Sequence, residues 1–403
     1  MANYFKAVIV GGGASGLLCA VELLRCQKSL KGNQIAIIEK NDRVGKKLIA
    51  TGNGQGNLCN QDLSKKYYHG NSFFIKSFFE GAKSINIQEY LTTLGIPLTT
   101  AKDGKQYPIS KQASAVLDVI RAFLESKGCT IITGETVTKV DGKDGDFIVI
   151  TDKNQYNAQK IVLAFGGKAG KQFGTDGSSY ILAQNLGHEI TSLYPSLVQL
   201  KTETDKIKGL KGLKENANVF ALDGDKLLSQ SAGEVLFTEY GVSGNAIFQV
   251  SGYLTNAKKP RLKIEFLPEY TLEQAQGLIE ERQKLNFLTE EQTLVGILNK
   301  RIGQAVIKTA KSTKAKDVTF AIKNFDLNVT GNLGFNYAQV TKGGVNANQV
   351  NPYTLESLKR KGVYIVGEAL DVDGDCGGYN LAFAFESGII CAQDIKEKVG
   401  KEN

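Results

Sequence analysis

The sequence is short of several things, and each shortage removes a class of function. Its six cysteines (Cys19, Cys26, Cys59, Cys129, Cys376 and Cys391) form no CxxC pair and no metal-type spacing. That argues against a zinc site or a disulfide framework, and for reduced thiols in a cytoplasmic protein. Only two histidines occur; His69 lies in a polar segment and His188 at the end of a helical one, and each reads as structural. The run from Ala7 to Leu24 is the best approach to a signal peptide, yet three glycines interrupt it and Glu22 and Arg25 follow closely. No other run reaches the length of a membrane span, so a soluble protein with no membrane partner is expected. The net charge is +8, carried almost wholly by lysines spread along the chain. The clustered, arginine-bearing face of a nucleic-acid binder is missing, so no nucleic-acid partner is expected. There is no internal repeat, and no feature of the pattern speaks to oligomeric state.

Proline is scarce, with 6 residues against 44 glycines. The glycines cluster between apolar runs, which points to tight turns and close backbone approaches rather than to a flexible linker. The 403 residues are 42% hydrophobic and 22% charged, a globular balance in a chain long enough for two or three lobes.

The opening reads strand, turn, helix, strand. Lys6 to Val10 carries the all-apolar AVIV of a strand buried on both faces, Ala14 to about Arg25 has helical spacing, and Ile35 to Ile38 gives IAII. This is one βαβ unit, so a parallel sheet follows. Two helices are expected between about Asn71 and Leu94 and another over Ala113 to Lys127. Strands at Thr130 to Ile132, Thr136 to Val140, Phe147 to Thr151 and Tyr156 to Leu163 then form a meander that returns to the sheet. Near Gly187 the character changes to short alternating strands (ANVFAL, EVLFT, LKIEFL) and a helical stretch from Thr271 to Lys311. Thr271 with Gln274 and Thr289 with Gln292 have capping-box spacing and mark two helix starts there. From about Gly343 the chain returns to glycine-rich loops, a strand at Val363 to Val366 and a helix at Asn380 to Lys398.

VIVGGGASG places Gly11, Gly13 and Gly16 directly after a strand and at the opening of a helix. The first glycine permits the turn, the second lets backbone approach a pyrophosphate, and the third packs helix on strand. The helix tip offers free amides and a positive dipole end. Glu39 ends the next strand where a carboxylate bonds a ribose hydroxyl and repels a 2′-phosphate. An adenosine diphosphate moiety is therefore expected. After Glu39, KNDRVGKKLIATGNGQGNLCN supplies Lys40, Arg43, Lys46 and Lys47 and then a polar, glycine-rich loop, suited to an extended phosphate-bearing ligand.

The tail carries a second half-site. In VYIVGEALDVDGDCGGYNLAFAFESG a buried strand ends at Gly367 and Glu368, and Gly377 and Gly378 lead into a helix. Glu368 is placed to bond ribityl hydroxyls, and the helix tip near Tyr379 to Leu381 to face the edge of a flavin where reduction leaves negative charge. Asp371, Asp373 and Asp375 do not make a calcium loop: the glycine is misplaced for that motif and the twelfth position is Ala382.

These blocks, together with VLAFGG, FGTDGSSY and TKGGVNANQVNP, resemble the bacterial FAD-dependent oxidoreductases of the aminoacetone-oxidase and 3-dehydro-bile-acid-reductase-like family, within the glutathione-reductase-like superfamily. They run in family order along essentially the whole chain. The resemblance implies an α/β fold: a Rossmann-like FAD-binding domain formed from both chain ends (1–188 and 341–403), with an inserted domain (189–340) of β-barrel-like and helical parts, the latter about 271–311. It implies that Gly11, Gly13, Ala14, Ser15 and Gly16 hold the pyrophosphate, Glu39 and Lys40 the adenosine ribose, and Lys46 and Lys47 the neighbouring loop. Val137 would meet adenine; Ala164, Gly166 and Gly167 would line the cofactor; Gly367, Glu368, Gly378, Tyr379, Asn380 and Leu381 would meet the ribityl chain and ring. The chain departs from the family at Gln55 and Gly56, where an Arg-Cys pair is usual, and at Cys376, where Thr is usual; the missing arginine removes a donor fork from that loop.

The chemistry implied is hydride transfer between the flavin and a small organic substrate held between the FAD domain and the inserted lobe. Only one dinucleotide fingerprint is visible, because GGKAG at Gly166 to Gly170 lacks the third spacing, so NADH or NADPH would serve as a transiently docking donor. No catalytic acid or base is assigned; Tyr379 and Asp375 are candidate proton donors, and Cys59 and Cys376 candidate redox partners. Two rival readings stay open: a flavin-dependent nucleic-acid modification enzyme, and a non-catalytic flavin-binding sensor.

Overall fold

The computed structural model describes residues 4–25, 30–81 and 85–401; of the cysteines considered above, Cys26 lies outside them. The chain divides into two units, Met1–Tyr194 with Val340–Asn403, and Pro195–Gln339.

The first unit is organised by apolar runs that need cover on both faces. Strand β1 (Tyr4–Val10) pairs in parallel with β2 (Ile35–Glu39) on one edge and with the strand Gln155–Leu163 on the other. Beyond β2 lies Thr130–Thr133, also parallel. Two neighbours share the far edge of Gln155–Leu163. Its first half pairs antiparallel with Asp146–Thr151, which continues to Val137–Lys143, and its last three residues pair in parallel with Val363–Ile365. The final pairing brings the C-terminal segment into the sheet begun by the N-terminus. Ile161, Val162 and Leu163 are fully buried where the two ends meet, each stabilising the sheet by about 1.5–3 kcal/mol relative to exposure.

Helix α1 (Ala14–Arg25) is buried nearly all round, because the sheet covers one side and the terminal helix (Tyr379–Lys401) lies against another. Its one buried charge is satisfied: Glu22 accepts from the Tyr90 hydroxyl at 2.8 Å and from Lys396. The two helices approach so closely that a Cβ at Gly388 would overlap the Ser15 carbonyl oxygen. A short antiparallel pair, Val372–Gly374 with Tyr68–Gly70, sets Asp373 opposite His69.

The second unit is a closed barrel of the strands Leu200–Thr202, Gly241–Ser243, Lys226–Phe237, Lys214–Asp223, Pro260–Phe266 and Phe325–Asn332. Alternating residues such as Val219, Ala221, Leu262, Ile264 and Phe266 fill its interior, the period-two pattern expected of a sheet with one buried face. Four α-helices accompany it: Asn245–Ser251, Leu272–Gln283, Lys300–Ala310 and Ala315–Lys323. The Thr271 capping box forms, with Thr271 N donating to Gln274 Oε1 at 2.8 Å. The second expected start does not open an α-helix. The Thr289 capping box forms, with Thr289 N donating to Gln292 Oε1 at 3.0 Å, but it opens only a single 3-10 turn, Glu290–Gln292. The helix starts instead at Lys300, where the Asn299 side chain accepts from Arg301 N at 3.1 Å. Among the described residues, no helix is long and apolar enough to cross a membrane.

Replacing Gly388 by Ala forces a methyl group into the α1 backbone. Overpacking of this kind costs about 1–3 kcal/mol, so G388A is expected to melt at a lower temperature than the parent in thermal unfolding followed by circular dichroism. An unchanged midpoint would mean that the two helices have room to spare.

Candidate functional site

The turn between β1 and α1 divides its labour among four glycines. At Gly11 (φ 110°) a side chain would overlap the Ala164 carbonyl; at Gly12 it would overlap Val44, and at Gly16 the Gly11 carbonyl. At Gly13 a Cβ meets nothing within 4 Å. Three of the four are therefore closed by the fold itself, and one opens onto space. The first bond of the helical ladder runs from Leu17 N to Gly13 O at 2.9 Å, which leaves the amides of Ala14, Ser15 and Gly16 ahead of it at the positive end of the helix. The Ser15 hydroxyl lies against Gly367, so the tail backbone closes over the base of this turn.

Glu39, at the end of β2, is buried, with donors on both oxygens: Gly12 N at 2.8 Å on one, and Asn41 N at 2.9 Å with Asn41 Nδ2 at 2.6 Å on the other. Its carboxylate is aimed at the glycine turn. Nearby, Glu135 N donates to the Glu39 carbonyl at 3.3 Å, bringing Val137 to the same end of the sheet. The lysines expected beside the ribose and in the neighbouring loop are each engaged with a carboxylate. Lys40 lies 3.3 Å from Asp176, and Lys46 lies 2.6 Å from Asp42, whose carboxyl its hydrogen bond holds below the usual range. Lys47 reaches 2.6 Å to Glu368 Oε2 and donates to the Ala169 carbonyl at 3.1 Å.

Lys47 thus ties three distant segments together at one point. The other Glu368 oxygen accepts from Thr341 N at 2.9 Å, and the Thr341 hydroxyl accepts from Lys168 N at 2.7 Å and Ala169 N at 2.9 Å. Gly167 has to be glycine, because a Cβ there would overlap both Thr341 Oγ1 and Glu368 Oε1. Gly166 lies against the Thr175 methyl, and Thr175 Oγ1 donates to the Ala169 carbonyl at 2.6 Å. Thr341 and Thr175 were not singled out in the sequence. Their signal was present only as membership of the TKGGVN and FGTDGSSY blocks, since a threonine by itself carries no motif.

At the tail, Gly378 packs against the Cys59 carbonyl, and the first bond of the terminal helix runs from Ala382 N to Gly378 O at 3.0 Å. The amides of Tyr379, Asn380 and Leu381 accordingly lie ahead of its ladder. The side chains there are occupied. Tyr379 stacks on Tyr67 at 4.5 Å and meets Tyr68 edge-on at 5.9 Å, and burial pushes its hydroxyl pKa up. Asn380 closes the preceding loop by accepting from Gly374 N at 2.8 Å and donating to Gly374 O at 2.7 Å. Burial pushes the Cys59 thiol up to about 12 and raises Cys376 as well, which disfavours the thiolates a redox role requires. The five described cysteines are free thiols. His188 is buried on Ser357 Oγ at 2.8 Å with its pKa pushed down to about 4, a neutral packed ring.

One group escaped the sequence reading. Asp373, considered there only as a calcium ligand, is 3% exposed and its Oδ1 has no hydrogen-bond partner. Burial pushes its pKa up to about 6 and raises that of Asp371 too. Alternating aspartates cannot be told from a solvated acidic loop without knowing which of them turns inward.

The residues present fit a diphosphate-bearing cofactor. Gly13 leaves open space beside the backbone, an amide-lined helix tip borders it, and a carboxylate is buried at the end of the adjoining strand.

The comparisons agree with that geometry. Residues 5–394 match the family model described as HI0933-like protein Rossmann domain. The chain is similar to the 3-dehydro-bile acid delta(4,6)-reductase of Clostridium scindens, 33% identical over 97% of this chain and 98% of that one. It is also similar to the ribosomal RNA dihydrouridine synthase of Haemophilus influenzae, at 26% identity over 99% and 100% of the two chains. In fold it resembles the 3-ketosteroid-Δ4-(5α)-dehydrogenase of Rhodococcus jostii RHA1, with a TM-score of 0.51, 13% identity, and 96% and 97% of the two chains covered.

Gly13→Val and Gly11→Ala separate cofactor space from fold. G13V is expected to keep the thermal midpoint of the apo-protein and to weaken FAD binding by at least ~10-fold, about 1.4 kcal/mol, in calorimetric titration. G11A is expected to lower the midpoint itself. Equal effects of the two on stability would refute the assignment of Gly13 as the open position.

Proposed function

Starting from the fact that the chain belongs to the HI0933-like Rossmann-domain family of FAD-dependent oxidoreductases, we propose that it transfers a hydride from reduced flavin to a small organic molecule, at a carbon–carbon double bond conjugated to a carbonyl. The observation that carries the reading is the opening at Gly13 in a turn whose other three glycines are closed by Ala164, Val44 and the Gly11 carbonyl, with a second helix tip at Tyr379 in the same unit. Both activities named for the whole-chain relatives, at Δ4,6 of a 3-dehydro bile acid and in making dihydrouridine, saturate a carbon–carbon double bond. A conjugated carbonyl is what allows such a bond to accept a hydride, because the negative charge that develops moves to oxygen.

Bound FAD supplies the two-electron carrier. The protein's share is position and charge. The amides of Ala14, Ser15 and Gly16 and the open backbone at Gly13 would bind the diphosphate. Glu39, braced by Gly12 and Asn41, would hold the adenosine ribose and repel a 2′-phosphate, with Lys40 beside it and Val137 presenting backbone to adenine. Ala164, Gly166 and Gly167 would line the groove. Glu368, oriented by Lys47 and Thr341, would take the ribityl hydroxyls, and the amides at the start of the terminal helix would stabilise negative charge on the ring edge that faces them. NADH or NADPH, docking transiently, is the donor in this reading. A cytoplasmic setting belongs to it too, and the free thiols support that.

Three steps test the proposal. The purified protein is expected to be yellow and to release FAD on denaturation. Anaerobic addition of NADH or NADPH is expected to bleach it. 2-Cyclohexen-1-one or 4-androstene-3,17-dione is then expected to restore the colour. A colourless protein with no releasable flavin overturns the reading. Reoxidation by uridine-containing RNA and by neither ketone would instead assign the chemistry to nucleic acid, and a flavin that none of these reagents affects would mark a non-catalytic binder.

A further inference from the structure

Asp373 occupies the middle of the strand Val372–Gly374, in the loop that joins Glu368 to the tip of the terminal helix. Both of those flanking elements belong to the ring half of the cofactor site in the reading above. The side chain is sealed from solvent, and its Oδ1 has no hydrogen-bond partner among the described residues. A buried ionised carboxylate without a donor is expensive, and with a pKa of about 6 the group holds its proton well above the usual carboxylate range.

The charged and titratable groups around it are few. Asp371 and Asp375 come from its own segment, His69 from the paired strand and Lys342 from Val340–Lys342. Glu368, on the preceding turn, is committed to Lys47 and Thr341 N, and Tyr379 of the terminal helix packs on Gly374. His69 Nε2 lies 2.6 Å from Asp375 Oδ1, with side-chain exposures of 25% and 13%. The row Asp373, His69, Asp375 therefore runs from a sealed carboxyl to groups that water reaches.

We propose that Asp373 is the catalytic acid that supplies the proton accompanying hydride transfer, and that His69 and Asp375 return a proton to it from solvent. The inference rests on the hydride reading above. Bound reduced FAD would supply the hydride to the carbon remote from the substrate carbonyl, forming one C–H bond. The π pair of the double bond closes on the carbon next to the carbonyl and takes the Asp373 proton there, leaving a carboxylate and oxidised FAD. Water reaches the His69–Asp375 pair, which passes a proton on to Asp373, and a nicotinamide dinucleotide would restore the reduced flavin. A conjugated carbonyl needs both events, since hydride addition alone leaves an enolate.

The test uses the FAD-loaded full chain and needs no substrate. The midpoint potential of the flavin is measured from about pH 5 to about pH 8 in the parent, D373N and D373E, together with oxidised-minus-reduced infrared spectra. Reduction adds negative charge beside Asp373 and favours its protonation. The parent is therefore expected to show a break in slope near the Asp373 pKa and a protonated-carboxyl stretch that responds to reduction. D373N is expected to lose both, and D373E to keep both. A break and a carboxyl band that persist in D373N overturn the proposal. So does a parent whose infrared spectrum holds no such band, a result that stands even if D373N does not fold. A protein that binds no FAD fails the functional reading at the loading step instead, so the two failures are distinct.

Discussion

The arrangement of the first unit depends on how closely the terminal helix lies against α1. Ser15 is the point of contact: its carbonyl faces Gly388 in the terminal helix, and its hydroxyl faces Gly367 at the end of the tail strand. Neither approach tolerates a β-carbon. Because the helices touch there, the terminal helix extends past the start of α1, and two amide-bearing tips belong to one unit. Dispersion and burial along the shared face, from Leu17 and Cys19 to Phe385, Ile389 and Ala392, stabilise the contact. The two glycines set its distance.

Polar bonds then register the loops on that frame. Lys47 and Glu368 are 321 residues apart in sequence and 2.6 Å apart in space, and Thr341 attaches the 166–170 loop to the same carboxylate. Removing one partner of such a partly buried pair leaves the other's charge uncompensated, which is where the cost of breaking it arises. Three carboxyls of this unit are treated differently. Glu39 and Glu368 have donors on both oxygens; Asp373 has one oxygen with none. A buried carboxyl whose proton is held by its surroundings, as burial does for Asp373, is a common feature of functional sites.

The inserted unit follows simpler rules. Its barrel closes through six strands whose inward positions alternate with outward ones, and its helical part is anchored by Lys323. That buried ammonium bonds Glu265 at 3.0 Å and the carbonyls of Leu267 and Tyr270 at 2.8 and 2.6 Å. All three of its donors are used, so it is a fastening rather than a reactive lysine.

Local pattern was enough to read much of this protein. Unbroken apolar runs such as AVIV and IAII have to be strands covered on both faces. A glycine-spaced turn between strand and helix has to approach backbone or ligand closely, and GEALDVDGDCGGYN has to end a strand and open a helix. These follow from side-chain period and backbone sterics, which act over a few residues. Partnership does not. The sequence placed Lys47 in the loop beside the ribose region and Glu368 near the ribityl chain, but only the folded chain set each as the other's counter-ion. It named Tyr379 and Asp375 as proton donors, whereas the fold packed Tyr379 into an aromatic stack, bound Asp375 to His69, and turned Asp373 inward without a partner. Burial and hydrogen-bond satisfaction are sums over atoms brought together from distant parts of the chain, so a charge's environment is decided only when those parts meet.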